Sequence, residues 1–381
     1  MAGLLPGPAC GEMKDAVAAY ERGDYAVAVR EFLPMALAGV SQARFDLGLM
    51  HATGRGVPRD IGLAAMWYRQ AADQGFAPAQ YEYGRLVAPA EAAAWFQRAA
   101  DQGYALAAFR LGLAYREGGG VPRSDVEAAR LYRKAAEAGL AEAQSNLGLM
   151  YERGDGVPPD EAEALRWYRR AAEQGQPEAQ FNLAAMLEEG RGGAPDVAAA
   201  AAWYRRAADR GVAAAMNNLG VVLERGEAIS ADPVLAYAWY EAASVRGGSG
   251  GAAEQASRNR DQIAARLSVD ELGRARREAQ QILARVAAAT MSAATAEVPP
   301  GSSEAPTADK PLAVRIQESL RTLGYDPGPP QARIGAKAAS AIREFQADVG
   351  APVTGEASEV LALGLRAAVA ARLTVRSPVL R

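Results

Sequence analysis

Apolar side chains recur in steps of three and four residues through the middle of this chain. Ala143, Leu147 and Met150 form one such stripe, and residues 161–174 carry a second one. Steps of three and four residues place side chains on one face of an α-helix, with polar residues on the opposite face. This segment therefore predicts two amphipathic helices, each of which buries one side.

The helix pair is repeated along the chain with a period of 36 residues, and one copy is shortened. A four-residue segment of the first helix recurs as LGLM at 47–50, YGRL at 83–86, LGLA at 111–114, LGLM at 147–150, LAAM at 183–186 and LGVV at 219–222. Six units thus tile residues 41–248. A single pair cannot cover its own apolar faces, so neighbouring pairs must stack. The pattern predicts an all-α chain whose units form an α/α superhelical solenoid.

Two positions mark most of the units: a glycine inside the first helix and a tryptophan inside the second. These signature residues are Gly48, Gly84, Gly112, Gly148 and Gly220, and Trp67, Trp95, Trp167, Trp203 and Trp239. Glycine in a helix costs about 1 kcal/mol relative to alanine, so its recurrence indicates that the facing helix needs the space. The equivalent tryptophans indicate packing between helices more than a stack that binds a ligand.

The turn between the two helices contains a glycine- and proline-rich segment, GDGVPPD at 154–160. It follows one predicted helix and precedes another, and its copies lack the lysine and hydroxyl pair of a phosphate-binding loop and the ligand spacing of a calcium loop. The last position of the copies holds residues that favour a helix N-cap: Asp60, Ser124, Asp160, Asp196 and Asp232. The segment is therefore predicted to be a structural turn.

Residues 143–175 follow almost in full the pattern A-x-x-x-L-G-x-x-Y-x-x-G-x-G-V-x-x-D-x-x-x-A-x-x-W-Y-x-x-A-A-x-x-G. In this the chain resembles the Sel-like repeat family, which are α/α solenoids related to the tetratricopeptide repeat. The resemblance implies a curved superhelix that holds protein partners on its concave face and has no catalysis of its own. It does not name the partner.

The segments on either side of the repeats differ from them. Residues 12–40 read as a degenerate helix pair that caps the N-terminal end, and residues 249–287 read as C-terminal capping helices, with a free partner-binding helix as the alternative. Ser268 and Glu271 form a predicted capping box in the latter. Residues 288–310 are rich in alanine, serine, proline and threonine without apolar periodicity, which predicts a flexible linker.

Residues 311–376 contain three further helical patterns, at 312–323, 336–349 and about 356–371. They predict a small three-helix bundle. This module resembles the peptidoglycan-binding-like domain through a set of residues spread over its length: Ile316, Gln317, Leu320, Leu323, Gly324, Tyr325, Gly328, Gly335, Ala341, Ile342, Phe345, Gln346, Gly350 and Gly355.

The resemblance implies that the module contacts peptidoglycan. Tyr325, Arg333 and Gln346 could supply an aromatic face, a partner for a carboxylate and an amide, although Tyr325 and Gln346 could equally be packing residues. The chain departs from the family at Gln331 and Ala332, where an Asp-Gly pair is expected, and at Ala338, where a threonine is expected. These changes remove local hydrogen bonds that would hold the loop.

The composition of the chain limits the ligands and the kinds of catalytic or metal site that it can have. The formal net charge of −3 gives no global argument for nucleic acid, and no apolar run is long enough to span a bilayer. Cys10 and His51 are the only cysteine and histidine, which excludes thiolate and histidine-rich metal sites. His51 occupies a position that holds tyrosine in later units and is interpreted as a packing residue. We therefore predict no catalytic residues, no metal and no cofactor.

Together, these features predict a non-enzymatic bacterial scaffold that binds proteins through the repeats and peptidoglycan through the C-terminal module. A regulator or accessory subunit of a wall-remodelling enzyme and a cytoplasmic signalling adaptor are the alternatives. Residues 1–11 are either a short tail or the remnant of an export signal. The expected location is the periplasm or cell envelope, with the cytoplasm as the alternative.

Overall fold

The structure is a computed structural model of the chain, and it describes residues 10–227, 229–248, 250–294 and 310–376. The predicted export remnant therefore lies almost wholly outside the described residues, and so does most of the predicted linker. The described secondary structure is helical, and there are no strands among the described residues. The prediction of an all-α fold is confirmed.

The described residues form nineteen helices. They are α1 (Cys10–Glu21), α2 (Tyr25–Leu37), α3 (Ser41–Thr53), α4 (Ile61–Ala72), α5 (Ala77–Gly84), α6 (Pro89–Asp101), α7 (Ala105–Glu117), α8 (Asp125–Glu137), α9 (Ala141–Arg153), α10 (Glu161–Glu173), α11 (Pro177–Glu189), α12 (Val197–Asp209), α13 (Ala213–Arg225), α14 (Pro233–Arg246), α15 (Gly251–Ala264), α16 (Val269–Ala294), α17 (Leu312–Leu323), α18 (Ala336–Asp348) and α19 (Glu359–Arg376).

The chain divides into two compact units. Unit 2, residues 105–298, contains four helix pairs from α7 to α14, followed by α15 and α16. Each pair packs against the next, and α14 packs against both α15 and α16. One core runs through the last pairs into these end helices, where Ile282 and Val286 are fully buried. A solenoid of stacked pairs needs such a cover at its end.

The end helices of unit 2 begin as expected and extend further than expected. The backbone N–H of Ser268 donates to Glu271 Oε2 at 2.9 Å, and the backbone N–H of Glu271 donates to Ser268 Oγ at 3.3 Å. This reciprocal pair starts α16. The helix then continues to Ala294, so residues 288–294 are helical where the sequence predicted linker. Alanine-rich sequence has high helix propensity, which accounts for the difference.

Unit 1 comprises residues 1–104 together with 299–381. It holds α1 and α2, the first two repeat pairs, and the C-terminal bundle of α17, α18 and α19. The bundle does not stand apart: α19 packs against α2 and α4. The sequence predicted a separate module behind a flexible linker, and the structure instead places the module on the N-terminal helix pair. No pattern local to either segment signals this long-range contact.

The five cap residues accept hydrogen bonds at the start of their helices. Asp60 accepts from Leu63, Ser124 from Glu127, Asp160 from Glu163, Asp196 from Ala199 and Asp232 from Leu235, at 2.8–3.3 Å. In three of these turns a glycine also meets the preceding helix pair: Gly56, Gly156 and Gly192. Gly156, with a φ of +69°, brings its backbone against the Asp125 carbonyl of the preceding pair, where no side chain would fit. The segment at 154–160 is thus a structural turn.

Candidate functional site

The signature glycines lie under an aromatic ring from the second helix of their own unit. A Cβ built on Gly48 would lie 2.6 Å from Cδ1 of Tyr68, and one on Gly220 would lie 2.7 Å from Cε1 of Tyr240. The same relationship joins three more pairs: Gly84 with Phe96, Gly112 with Tyr132 and Gly148 with Tyr168. The space left by each glycine is therefore filled by an aromatic side chain. This aromatic residue comes immediately after the tryptophan position in the sequence.

The tryptophans are packing residues with cationic neighbours. Trp67 and Trp239 are fully buried, Trp95 and Trp167 are nearly so, and Trp203 is partly buried. An arginine one turn later covers three of the rings, with the guanidinium carbon 4.3–4.6 Å from the ring centroid, in the pairs Trp95–Arg98, Trp167–Arg170 and Trp203–Arg206. In each of these three pairs, one face of the tryptophan ring makes a cation–π contact with an arginine of the same helix.

A second set of polar contacts links one repeat to the next. Tyr168 Oη donates to Glu152 at 2.7 Å, and Glu152 also pairs with Arg191 of the following repeat at 2.6 Å. Two similar triplets follow, Tyr204–Glu188–Arg225 and Tyr240–Glu224–Arg266, and the last of them reaches from the final repeat to the turn after α15. Burial, and then the hydrogen bond to Glu152, raise the pKa of Tyr168. These tyrosines therefore stay protonated and act as donors.

The sequence analysis did not find these triplets. Their signal is present, since Glu152, Glu188 and Glu224 are spaced by the repeat period and precede the turn. A row of charged residues at that period is typical of a solvated helix face, and only the structure shows that each carboxylate joins a tyrosine of its own repeat to an arginine later in the chain.

A polar groove lies at the C-terminal end of unit 2, with a volume of about 590 Å³. It is lined by residues of α13, α14 and α15 and of the turn after α15: Asn217, Val221, Glu224, Arg225, Tyr240, Gln255, Asn259 and Arg266. Asn259 Nδ2 donates to Asn217 Oδ1 at 2.9 Å across the groove. The lining offers carboxamides and both signs of charge, which is the chemistry that pairs with the backbone and polar side chains of another protein.

Unit 1 has a smaller hollow, of about 60 Å³, between α1, α2 and α3. Its lining is apolar apart from one carboxylate: Val17, Tyr20, Phe32, Asp46 and Leu49. Burial raises the pKa of Asp46 to about 6, against the opposing effect of its hydrogen bond from Gln42. The hollow is too small to hold more than a single side chain of a partner.

The C-terminal module uses two of its three candidate ligand residues, Gln346 and Tyr325, in contacts within the module. Gln346 is buried, its Oε1 accepts from the backbone N–H groups of Thr354 and Gly355, and its Nε2 donates to Thr354 Oγ1. Its carboxamide thus fixes the turn after α18. Tyr325 donates to Asp348 at 2.7 Å and meets Phe345 edge-on. Arg333 is exposed on the loop between α17 and α18.

The loop that lost its expected Asp-Gly pair and threonine is held by other groups. Asp326 accepts from the backbone N–H of Gly328 and pairs with Lys337 at 2.9 Å, and the Lys337 contact, followed by the Gly328 bond, lowers the pKa of Asp326. Gln317 accepts from the backbone N–H of Gln331 at 2.7 Å. Ala338 is buried. The loop is therefore held by hydrogen bonds from Asp326 and Gln317 in place of those that the expected Asp-Gly pair and threonine would make.

His51 is 1% exposed, and burial lowers its pKa to about 4. It is neutral near pH 7 and packs inside the first repeat. Among the described residues there is no group of three or more histidine, cysteine, aspartate or glutamate side chains that could hold a metal ion. None of the described helices is both long enough and apolar enough to cross a membrane.

Comparison with known proteins supplies the family. The "Sel1 repeat" model matches six consecutive segments: 41–76, 77–104, 105–140, 141–176, 177–212 and 213–247. Residues 310–361 match the model described as "Putative peptidoglycan binding domain". No protein among the curated sequences matches the chain.

Two solved structures are similar to this one. The first is c5321, a protective antigen of uropathogenic Escherichia coli with an SLR fold, at 28% identity and a TM-score of 0.64 over 75% of this chain. The match spans 64% of the antigen's length. The second is a Sel1 repeat protein from Oxalobacter formigenes, at 31% identity and a TM-score of 0.55, covering 62% of this chain and 97% of that one.

The comparisons agree with the geometry at the repeat level. Sel1 repeats are protein-interaction modules. The six matched segments coincide with helix pairs α3 to α14 and cover more than half of the chain. This chain belongs to the Sel1 repeat family and carries a domain of the peptidoglycan-binding type at residues 310–361.

Proposed function

We propose that this protein is a non-enzymatic scaffold of the bacterial cell envelope. In this proposal the Sel1 repeats bind a protein partner and the C-terminal module contacts peptidoglycan. The observation that carries the first part is the polar groove of unit 2, where Asn217, Gln255 and Asn259 offer carboxamides beside Arg225 and Arg266. Carboxamide and guanidinium groups can bind the backbone and the acidic side chains of a protein segment.

The test of partner binding is site-specific photocrosslinking in cells. A photoreactive amino acid replaces Val221, which lines the groove, or Val126, which is 63% exposed on α8 and serves as the matched control. We expect one defined crosslinked protein from position 221 and none of the same mass from position 126. Identical products from both positions, or none from either, would contradict a specific site in the groove.

Wall contact is tested by co-sedimentation of the purified protein with cell-wall sacculi. Arg333 is exposed on the loop of the module and offers a guanidinium to the carboxylates of the wall peptides. We expect Arg333→Ala to reduce the pelleted fraction several-fold. Arg276→Ala, an exposed arginine on α16, is the charge-matched control and should leave pelleting unchanged. Equal pelleting of both variants would remove Arg333 from the proposed site.

The same preparation tests whether the protein is an enzyme. Sacculi incubated with the pure chain should release no soluble muropeptides over hours, since the proposal assigns no nucleophile or metal to it. Release above a buffer control would select the alternative of a wall-remodelling subunit. The envelope location is tested separately, by a reporter fusion that is active only after export.

A further inference from the structure

The C-terminal module packs on the N-terminal end of the repeats through α19. Phe32 and Leu33 of α2 share one buried core with Leu361 and Leu365 of α19, and these four side chains are at most 4% exposed. Apolar burial of this kind is the main source of stability in a contact between helices. The contact therefore has the character of a domain interior.

The two helices make a close contact at a glycine. A Cβ built on Gly364 of α19 would lie 2.5 Å from Cδ2 of Leu37, the last residue of α2. The Leu37 side chain fills the space that a side chain at position 364 would occupy. Glycine has a low helix propensity, so Gly364 destabilises α19 locally. Ala362 and Ala367 on the same helix are also small and buried. The fit at this point depends on the size of both residues.

One charged pair borders the apolar contact. Arg366 Nη2 lies 3.3 Å from Asp60 Oδ2, while Oδ1 of Asp60 caps α4 by accepting from Leu63. Arg366 Nη1 also reaches Met66 Sδ at 3.9 Å. A partly exposed pair adds little free energy. The pair instead positions α19 relative to α4, because the Asp60 carboxylate is already held in place as the cap of α4.

The location of this contact explains why it forms. In a stack of helix pairs, the outermost pair has an apolar face with no neighbour, and a terminal element must cover it. In unit 2 the last pair is covered by α15 and α16. In unit 1 the first pair is α1 and α2, and the helix that lies against α2 from outside the repeats is α19. The module fills the place of a terminal cap.

We propose that the C-terminal module docks in cis on α2 and α4 and is the N-terminal cap of the repeat array. Its loop between α17 and α18 stays accessible while it is docked, since Gln331 and Arg333 are exposed in the docked structure. Resting on the proposed function, a second consequence is that wall contact is made from a fixed position beside the first repeat rather than from a freely moving tether.

The test uses the full chain with a protease recognition sequence placed within residues 299–305. After cleavage, the module fragment of the otherwise unaltered chain is expected to co-elute with the repeat fragment in gel filtration at low micromolar concentration. Gly364→Leu should release the module and raise the dissociation constant at least tenfold. The double variant Gly364→Leu with Leu37→Ala should recover co-elution, because the smaller residue on α2 makes room for the larger one on α19.

Gly273→Ala, on α16 of unit 2, is the control for a changed helical glycine and should leave co-elution intact. Circular dichroism of each uncut variant checks that it is folded. Arg366→Glu provides a second route to release, because it places two carboxylates together at Asp60 and leaves the contact of Gly364 with Leu37 unchanged. Separation of the unaltered fragments after cleavage would overturn the proposal. So would co-elution that persists in both Gly364→Leu and Arg366→Glu.

Light scattering of the uncut chain distinguishes docking in cis from exchange between copies. A monomer is expected, and a dimer that Gly364→Leu converts to monomers would show docking in trans and overturn the cis assignment. Sacculus binding is measured on the same uncut proteins. If Arg333→Ala loses wall binding and keeps co-elution, or if Gly364→Leu loses co-elution and keeps wall binding, docking of the module and wall binding are separate properties.

Discussion

The ring of Tyr168 lies directly on the backbone of Gly148, so that a Cβ at position 148 would come within 2.9 Å of both Cδ1 and Cε1. The ring is fully buried, and its hydroxyl reaches Glu152 one turn further along α9. Glycine and tyrosine thus fix the distance between the two helices of one repeat, and the hydroxyl connects that contact to the next repeat through Arg191.

Gly148→Ala is expected to destabilise the protein. The added methyl group overpacks the contact with Tyr168, at a cost of about 1–3 kcal/mol, and the gain in helix propensity of about 1 kcal/mol offsets only part of it. Gly273→Ala is the matched control, because the nearest group to its new Cβ is Arg277 Nη1 at 3.7 Å. The midpoint of urea unfolding should fall for the first variant and rise for the second. A rise for both would show that the Tyr168 ring yields without cost.

Buried glutamines provide a second test of how repeats are joined. Gln144 donates to the carbonyl of Ala136 in the preceding repeat at 3.0 Å and accepts from Gln174 at 2.8 Å. Gln144→Met keeps the length of the side chain and removes both hydrogen bonds, which is expected to cost about 1–3 kcal/mol.

Gln180 is the internal comparison for this change. It donates to the carbonyl of Ala172 at 3.1 Å, but its own Oε1 is buried without a partner among the described residues. Gln180→Met removes that unpaired oxygen as well as one bond, so its loss of stability should be smaller than that of Gln144→Met. Equal losses in urea unfolding would show that the bond from Gln174 contributes nothing.

The repeats could be predicted in detail because their information is local and repeated. The position of Asp160 before an apolar stripe identifies the start of α10, and the stripe and glycine turn give its length. Gln144 illustrates the limit: its carboxamide has a role only once Ala136 and Gln174 are known to meet it. A polar residue inside an apolar stripe does not by itself reveal a hydrogen bond to the neighbouring repeat.

The candidate wall-binding residues and the docked module were harder to predict for a related reason. The pattern that names Gln346 is shared by residues that bind and residues that hold a turn, and the structure uses this one in the turn. The contact between Asp60 and Arg366 spans 306 residues of sequence. No periodicity links its two sides, so the sequence suggested an independent module where the structure has a packed one.

Asp46→Asn is expected to stabilise the protein above pH 6. Burial raises the pKa of Asp46 from 3.8 to about 6, so the folded chain binds more protons than the unfolded chain between these values. The stability that this carboxyl contributes is present below pH 3.8 and is lost as the pH rises through 6. Asparagine resembles the protonated form, and the gain at pH 7.5 should be on the order of 1–2 kcal/mol, allowing for solvent screening.

The measurement is the difference in urea midpoint between variant and parent at pH 4 and pH 7.5. Asp101→Asn on α6 changes an exposed carboxylate and controls for the loss of one charge. A difference for Asp46→Asn that is the same at both pH values would contradict the role of burial.

His51 should give the opposite pH dependence. Burial lowers its pKa from 6.5 to about 4, with Asp60 opposing the shift and Arg366 adding to it. The unfolded chain therefore binds a proton at a pH where the folded chain does not. The stability that this residue contributes is present above pH 6.5 and is lost as the pH falls through 4, by on the order of 2–3 kcal/mol. Leu187 and Leu223 hold the same position in the fifth and sixth repeats, so His51→Leu has a natural precedent. We expect this variant to lose less stability than the parent between pH 7.5 and pH 4 in urea unfolding.

Arg366 of the docked module contributes to the low pKa of His51. Arg366→Gln should therefore raise the pKa of His51, and the variant should lose less stability than the parent when the pH falls from 7.5 to 4. An unchanged pH profile would show that α19 does not lie beside the first repeat.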